Sequence, residues 1–399
     1  MPKKKLDQYS DFEKESDIQA FKDSINEFFK DVPDPRSRDN CKFPLTSLLV
    51  MMLMAVIAGA NNILAINDYI QEKQYLFREL LGLNRIPQYN TLWWLITRMN
   101  PEKFASSFYK WVEDVRVKNI PDKIIHVDGK CLRGALNNKG NQNIHIVHAW
   151  SSKESLLIGQ LKTDEKSNEI TAIPELLDLI DIEGAIITID AAGCQKNVVD
   201  KICNKGAHYV LAVKGNQPTL HNEIIDLFET AHDQKFYYVP NSDLFESVEK
   251  GHGRIEKRSI AICSDTSGPL DDMKKVWKGL ETFIEVTTER TLHDKTSIEK
   301  RYYISDLILS AKEFGEIIRT HWSVENNLHW KLDVIFKEDE SRANILHAAE
   351  NLATLRRMAL DVFNYETELK MGTTQKRRRA GWGDTTLIKL LDNFFVKKF

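Results

Sequence analysis

Lys123-Ile124-Ile125-His126-Val127-Asp128-Gly129-Lys130 is a short apolar run that ends in an acid, and the chain repeats the device at Ala185-Ile186-Ile187-Thr188-Ile189-Asp190-Ala191. Short runs of apolar, β-branched residues bounded by turn signals read as buried strands. Ile144–Ser151, Leu156–Thr163 and His208–Val213 read the same way, with helical patterns over 170–181 and 195–205 between the later ones. The order β-β-β-α-β-α-β predicts an α/β fold. Its first three strands can form a meander, and the later ones cross over through helices into a mixed sheet.

Upstream, residues 10–115 read as a helical N-terminal domain. Ser16 and Asp17 stand where they would cap a first helix that carries Ile18, Phe21, Ile25, Phe28 and Phe29 on one face. Asp34-Pro35-Arg36-Ser37-Arg38 is a turn. The apolar run 44–58 is shorter than the roughly 20 residues of a membrane span, and Asn61-Asn62 ends it, so it predicts a buried helix. A further helix is expected over 62–81. Asn90-Thr91 then offers a cap before Leu92-Trp93-Trp94-Leu95-Ile96. Helices joined by a short turn either read DNA or simply pack, and the pattern leaves both open.

Downstream, 121–234 is the first part of the sheet domain. Alternating segments over 235–308 predict an antiparallel β insertion, and helix returns at 309–366 to complete the core. Residues 367–399 form a basic tail with a short amphipathic helix near 385–395. Hydrophobic residues make up 42% and charged residues 28%, which excludes a disordered chain, a collagen and a disulfide miniprotein. With 55 Lys/Arg against 58 Asp/Glu the net charge is −3, so the whole chain is no basic coat for nucleic acid, yet 370–399 holds eight basic residues against two Asp. Five scattered Cys with no CxxC pair suit a reducing compartment and argue against structural zinc. The charged N-terminus has no apolar core behind it. The expectation is a cytoplasmic protein with no membrane partner.

Apolar strands deliver their terminal side chains to one sheet edge, where sites in α/β sheets lie. Asp at a strand end is also a common turn or cap residue. Two such Asp converging repel unless a cation lies between them. Mg²⁺ or Mn²⁺ suits carboxylate ligands and keeps positions open for phosphate and water. A third acid should come from the helices after the insertion, where His321, Glu325 and His329 repeat every four residues between Trp322 and Trp330. Zinc on the two His lacks the HExxH order. Lys250-Gly251-His252-Gly253-Arg254 is a basic Gly-rich turn able to approach a phosphate backbone, or a plain hairpin. Lys376-Arg377-Arg378-Arg379 is a phosphate footprint or a solvated charge run.

Six ordered stretches carry a resemblance: Val127-Asp128-Gly129-Lys130-Cys131-Leu132-Arg133-Gly134, Asp164-Glu165-Lys166-Ser167-Asn168-Glu169-Ile170, Thr188-Ile189-Asp190-Ala191-Ala192-Gly193-Cys194-Gln195, Lys214-Gly215-Asn216-Gln217-Pro218, Gly251-His252-Gly253-Arg254-Ile255-Glu256 and His321-Trp322-Ser323-Val324-Glu325-Asn326. From about Asp34 to about Leu360 the chain resembles the H-repeat-associated insertion-sequence transposases, of the DDE class with an RNase-H-like catalytic domain. The resemblance implies cutting and joining of double-stranded DNA at the element's inverted-repeat ends and at target DNA. It implies two Mg²⁺ ions, with Mn²⁺ able to substitute, and a homodimer on DNA ends at the bacterial nucleoid. Asp128, Asp190 and Glu325 match the three catalytic and metal-binding acids. DNA contacts are expected from Lys130, Arg133, Lys214, Asn216 and Gln217 in the motifs, and from His252 and Arg254 in the insertion. The wider group has a Tyr and an Arg before its Glu and a Lys after it, where this chain has Ile318, His321 and Leu332; Arg319, His321 and Lys331 stand nearby as substitutes. The tail adds Lys376, Arg377, Arg378 and Arg379. A catalytically decayed DNA-binding relic or repressor, and a nonspecific nuclease, are the competing readings.

Overall fold

The computed structural model describes residues 15–37, 41–113, 123–136, 143–163, 169–237, 239, 241–251, 253–264, 271–292 and 295–396. The chain opens with six helices: α1 (Glu15–Phe28), α2 (Leu45–Ile57), α3 (Ile63–Glu72), α4 (Gln74–Leu81), α5 (Tyr89–Arg98) and α6 (Pro101–Val112). The sheet region follows as β1 (Ile124–Leu136), β2 (Asn143–Ser151), β3 (Leu156–Lys162), α7 (Glu169–Leu179), β4 (Ile186–Ile189), α8 (Lys196–Asn204), β5 (His208–Val213) and α9 (Pro218–Asp233). Next come β6 (Ser242–Gly251), β7 (Arg254–Cys263), α10 (Asp271–Val276), β8 (Thr282–Leu292) and β9 (Lys295–Ser305). The chain closes with α11 (Ala311–Val324), a π turn at Glu325–His329, α12 (Trp330–Val334), α13 (Ala348–Tyr365), α14 (Thr373–Trp382) and α15 (Asp384–Phe395).

The nine strands of the described residues form one sheet in the order β3-β2-β1-β4-β5-β9-β8-β7-β6. The expected meander is β1–β2–β3, antiparallel throughout, while β1–β4 and β4–β5 are parallel because α7 and α8 carry the crossovers. The insertion is antiparallel as its alternation requires, but it is not a separate layer. Its last strand pairs with β5, Val210 opposite Ser305, and extends the core sheet. Side chains alternate across each strand. Ile125 and Val127 therefore join the main core, while Ile124 packs against the smaller cluster built on Phe314, Ile317 and Ile318 of α11.

Helix α2 is apolar all round and buried from Ser47 to Ile57, as such a helix must be. No helix of the described residues is long and apolar enough to cross a membrane. It packs on α13, which also touches α5, α6, β3, α14 and α15 and so ties the helical layer to the sheet. Three boundaries differ from the sequence reading. Helix α1 already runs at Glu15, so Ser16 and Asp17 lie inside its first turn. Helix α5 begins at Tyr89 with no side-chain cap, which puts Asn90 and Thr91 inside it. The 62–81 helix breaks at Lys73 into α3 and α4.

The C-terminal tail is corrected most. Residues 373–395 fold back as α14 and α15, and Phe395 packs 4.9 Å from Phe28 by ring centroids. Lys376 and Arg377 are buried and do not face phosphates. Lys376 Nζ donates to the carbonyl of Phe363 (2.9 Å) and to that of Glu366. Arg377 donates to the Val56 carbonyl (3.3 and 3.2 Å), to Asn61 Oδ1 (2.7 Å) and to the Ile335 carbonyl. The carbonyls at the end of α2 form the negative pole of that helix, which is where a guanidinium is stabilised. Arg378 and Arg379 remain exposed.

Candidate active site

Strands β1 and β4 run parallel with Val127 opposite Ile189, which sets the next residues, Asp128 and Asp190, side by side at the same level. Asp190 follows the end of β4, but β1, read from sequence as a strand ending at Asp128, runs on to Leu136 because it keeps β2 as a partner, Asp128 opposite His148. Neighbouring strands lie about 4.8 Å apart. Asp128 Oδ1 accepts from the Gly129 amide (2.9 Å). Asp190 Oδ1 accepts from the amides of Ala192 (3.1 Å) and Gly193 (3.3 Å), so it also caps the turn after its strand. That turn is braced from the end of β5. Asn216 Nδ2 donates to the Ala191 carbonyl (2.6 Å), and Gln217 Nε2 to the Cys194 carbonyl (2.9 Å). Both amides, expected on DNA, spend donors on holding Asp190's turn.

Helix α11 delivers the third acid. At Glu325 it loosens into the π turn, a distortion that recurs at functional sites. His329 Nδ1 lies 3.0 Å from Glu325 Oε2 and 3.7 Å from Asp128 Oδ2. One ligand atom from each of Asp128, Glu325 and His329 falls within 4.8 Å of the others. Burial, then repulsion from Asp190, pushes the Asp128 carboxyl up to about 7; Glu169 and Glu325 add to the repulsion. Burial pushes His329 down to about 4, against the hydrogen bond to Glu325 that raises it, so its imidazole is neutral near pH 7. An acid held so far above its ordinary range, beside further acids and a neutral imidazole, is a donor set that a divalent cation neutralises. Mostly oxygen donors fit Mg²⁺ and Mn²⁺.

Beneath the acids runs a buried polar chain. Thr188 Oγ1 lies 2.6 Å from His126 Nδ1 and 2.7 Å from His321 Nδ1. A hydroxyl has one proton to give, so one of the two rings carries its proton on Nδ1 and donates to Thr188. Burial holds His126 down at about 3 and lowers His321 as well, so both are neutral near pH 7. On the other side Arg357, fully buried, pairs with Glu338 (2.7 Å) and donates from Nε to His148 Nε2 (2.9 Å). That places the proton of His148 on Nδ1, and its ring lies 5.6 Å from that of His329.

Asp128, Asp190, Glu325, Lys214 and His321 line one cavity of about 450 Å³. Arg254 and Arg319 line a neighbouring groove of about 430 Å³ with Arg258, Arg290 and Arg301, and the two share Arg301 and Trp322. Arg319 pairs with Glu249 (2.8 Å) and Arg254 with Glu256 (3.6 Å). Arg133 is exposed, 3.7 Å from Asp339. Lys130 is corrected: it is buried, and its ammonium holds both oxygens of Asp333 at 2.7 Å. It is thus the ion partner of Asp333. His252 lies outside the described residues. The sequence reading left without a role His329 in the acid cluster, Thr188 in the cavity lining and Glu169, whose charge helps to raise Asp128. His329 stood on the quoted stripe, and Glu169 inside a quoted motif.

A family model described as a transposase DDE domain matches residues 120–362, and one described as "DDE_Tnp_1-associated" matches 26–112. The chain is 37% identical over 370 residues to the Escherichia coli K12 protein YbfL, covering 90% of this chain and 95% of that one. The same identity, length and coverage relate it to the "H repeat-associated putative transposase YhhI" of that strain. A piggyBac transposase synaptic complex with hairpin DNA aligns over 96% of this chain and 79% of its own at 11% identity and a TM-score of 0.39, a likeness too distant to bear on the site.

Proposed function

The chain belongs to the DDE-domain transposases, and from that premise we propose that it cuts the ends of an insertion sequence and joins them to target DNA by two-metal phosphoryl transfer. The observation that carries this reading is the meeting of Asp128, Asp190 and Glu325 at one cavity, from within β1, from the end of β4 and from the end of α11. These three acids are the proposed catalytic and metal-binding residues. They would hold two divalent cations, Mg²⁺ with Mn²⁺ able to substitute, which would supply charge neutralisation for an in-line phosphoryl displacement.

The chain's own residues do the positioning. Amides of the 191–193 turn hold one oxygen of Asp190 and leave the other for a ligand. His329 orients Glu325 from within its own helix. Exposed Lys214, Arg133, Arg254, Arg319, Arg378 and Arg379 are the proposed phosphate contacts, and the Arg-lined groove beside the cavity leads DNA toward the acids. The helical body recognises the ends, a homodimer pairs them, and the reaction runs in the cytoplasm at the nucleoid. Pure protein with labelled element ends and Mg²⁺ tests the reading. End nicking and strand joining support it, whereas binding without cleavage or general digestion of any DNA overturns it.

A further inference from the structure

Glu169 opens α7, in the first turn of a helix that packs on β2, β3 and the 191–193 turn. It approaches the site from the sheet face opposite α11. A side chain at 129 would overlap its carboxylate: a Cβ built on Gly129 meets Oε1 and Cδ, with Oε2 at 3.0 Å. The residue directly after Asp128 is therefore bare where this carboxylate lies. The charges reach one another, because Asp190 raises Glu169 and Glu169 raises Asp128. Among the described residues no Lys or Arg forms an ion pair with Asp128, Asp190 or Glu169; His329 near Asp128 is the only basic side chain within ion-pair distance.

The cluster of Asp128, Glu325 and His329 accounts for one cation and leaves both Asp190 and Glu169 outside it. Asp190 has one oxygen on backbone amides, and among the described residues the other has no hydrogen-bond partner. Hard divalent cations take carboxylate oxygens, and two of them serving one displacement lie roughly 4 Å apart and share a ligand.

We propose that Glu169 is a fourth acid of the active site and completes a second divalent-cation cradle with Asp190 and Asp128, Asp128 being shared with the cradle of Glu325 and His329. This rests on the metal-dependent reading of the site given above. Glu169 acts on the cation and not on the DNA. Its loss therefore removes one ion and leaves the other.

The test is Mn²⁺ titration of the full chain without DNA, with free Mn²⁺ counted by its electron paramagnetic resonance signal. Wild type binds two ions per chain. Glu169→Gln, isosteric and uncharged, binds one as before and the second at least tenfold more weakly. Gly129→Ala gives the same loss with Glu169 still present, since its methyl pushes the carboxylate away and the flexible end of a Glu side chain can move. Thermal melts at low pH confirm that both variants fold. Asp128→Asn loses both ions. If Glu169→Gln and Gly129→Ala both bind two ions with wild-type affinity while Asp128→Asn binds none, the fourth-acid proposal is wrong and the site reading stands. If wild type itself binds no Mn²⁺, the metal-dependent reading fails and takes the proposal with it.

Discussion

Replacing Asp128 by Asn should stabilise the metal-free protein, by an amount that grows above about pH 4 and is complete above about pH 7. The folded carboxyl is pushed up to about 7 by burial and by Asp190, whereas an unfolded Asp titrates near about 4. The folded state thus binds the proton more tightly than the unfolded state does. Below about pH 4 both states are protonated and Asp128 costs nothing. Between about 4 and 7 stability falls as pH rises, and above 7 the full penalty is present. Some three pKa units at about 1.36 kcal/mol each give a penalty of order 4 kcal/mol. At roughly 2.1 cal/mol/K per residue, a chain of 399 residues melting as one unit has an unfolding entropy of about 0.8 kcal/mol/K, so the Tm of Asp128→Asn should rise by about 5 °C at pH 8. The amide oxygen of Asn still accepts from Gly129, so no hydrogen bond is lost. Calorimetry in a chelator at pH 4 and pH 8 measures it. Added Mg²⁺ should stabilise wild type at pH 8 and leave the variant where it was. A variant less stable than wild type at pH 8, or equally stabilised at pH 4, would refute the argument that an uncompensated charge sits at this position.

Asp333→Asn should cost about 2–3 kcal/mol and keep measurable cutting in Mn²⁺, because it strands the buried Lys130 ammonium with only Asp339, 3.9 Å away, as a partner; denaturant melts and cleavage assays read the two effects. Arg377→Ala should lower stability by about 3 kcal/mol through the buried carbonyls it leaves bare, measured by chemical denaturation. Arg378→Ala with Arg379→Ala should leave the melt unchanged and flatten the salt dependence of DNA binding by up to about 0.9 in log–log slope per lost phosphate contact. A fragment ending near residue 115 should fail to give a cooperative melt, since Phe21 and Phe28 of α1 lose Phe395 of α15 and α2 loses α13.

The strands around Asp128 and Asp190 were legible because a buried parallel strand writes itself as an unbroken apolar run; the end of β4 before Asp190 was read correctly, whereas the polar residues after Asp128 hid the continuation of β1 to Leu136 along β2. Glu325 was legible as part of a stripe at helical spacing, although the π turn at that point has no sequence signature of its own. What local pattern could not carry was pairing across long separations. Lys130 and Asp333 are 203 positions apart, and Arg377 and Val56 are 321 apart. A basic run looks solvated from within, and only the carbonyls at the end of α13, for Lys376, and at the end of α2, for Arg377, turn the two into buried donors. The insertion's strands alternate as any antiparallel sheet does, so their continuity with β5 through β9 was invisible until the crossovers fixed the strand order. Glu169 was hidden for a similar reason: its meaning lies in Gly129, forty residues earlier by number and in contact through space.

If Asp128 within β1, Asp190 after β4 and Glu325 after α11 form a single metal-dependent centre for DNA strand transfer, cleavage needs all three acids. Single-turnover cleavage of a labelled duplex carrying the element's own terminal repeat, in Mg²⁺ and in chelator, tests it most directly with wild type, Asp128→Asn, Asp190→Asn and Glu325→Gln compared side by side. The account predicts specific end nicking by wild type in Mg²⁺ alone, and retained end binding with cleavage at least a thousandfold slower, of order 4 kcal/mol in the barrier, for each folded variant. Cleavage by any one of the three variants at the wild-type rate, or cleavage by wild type undiminished in chelator, would contradict it.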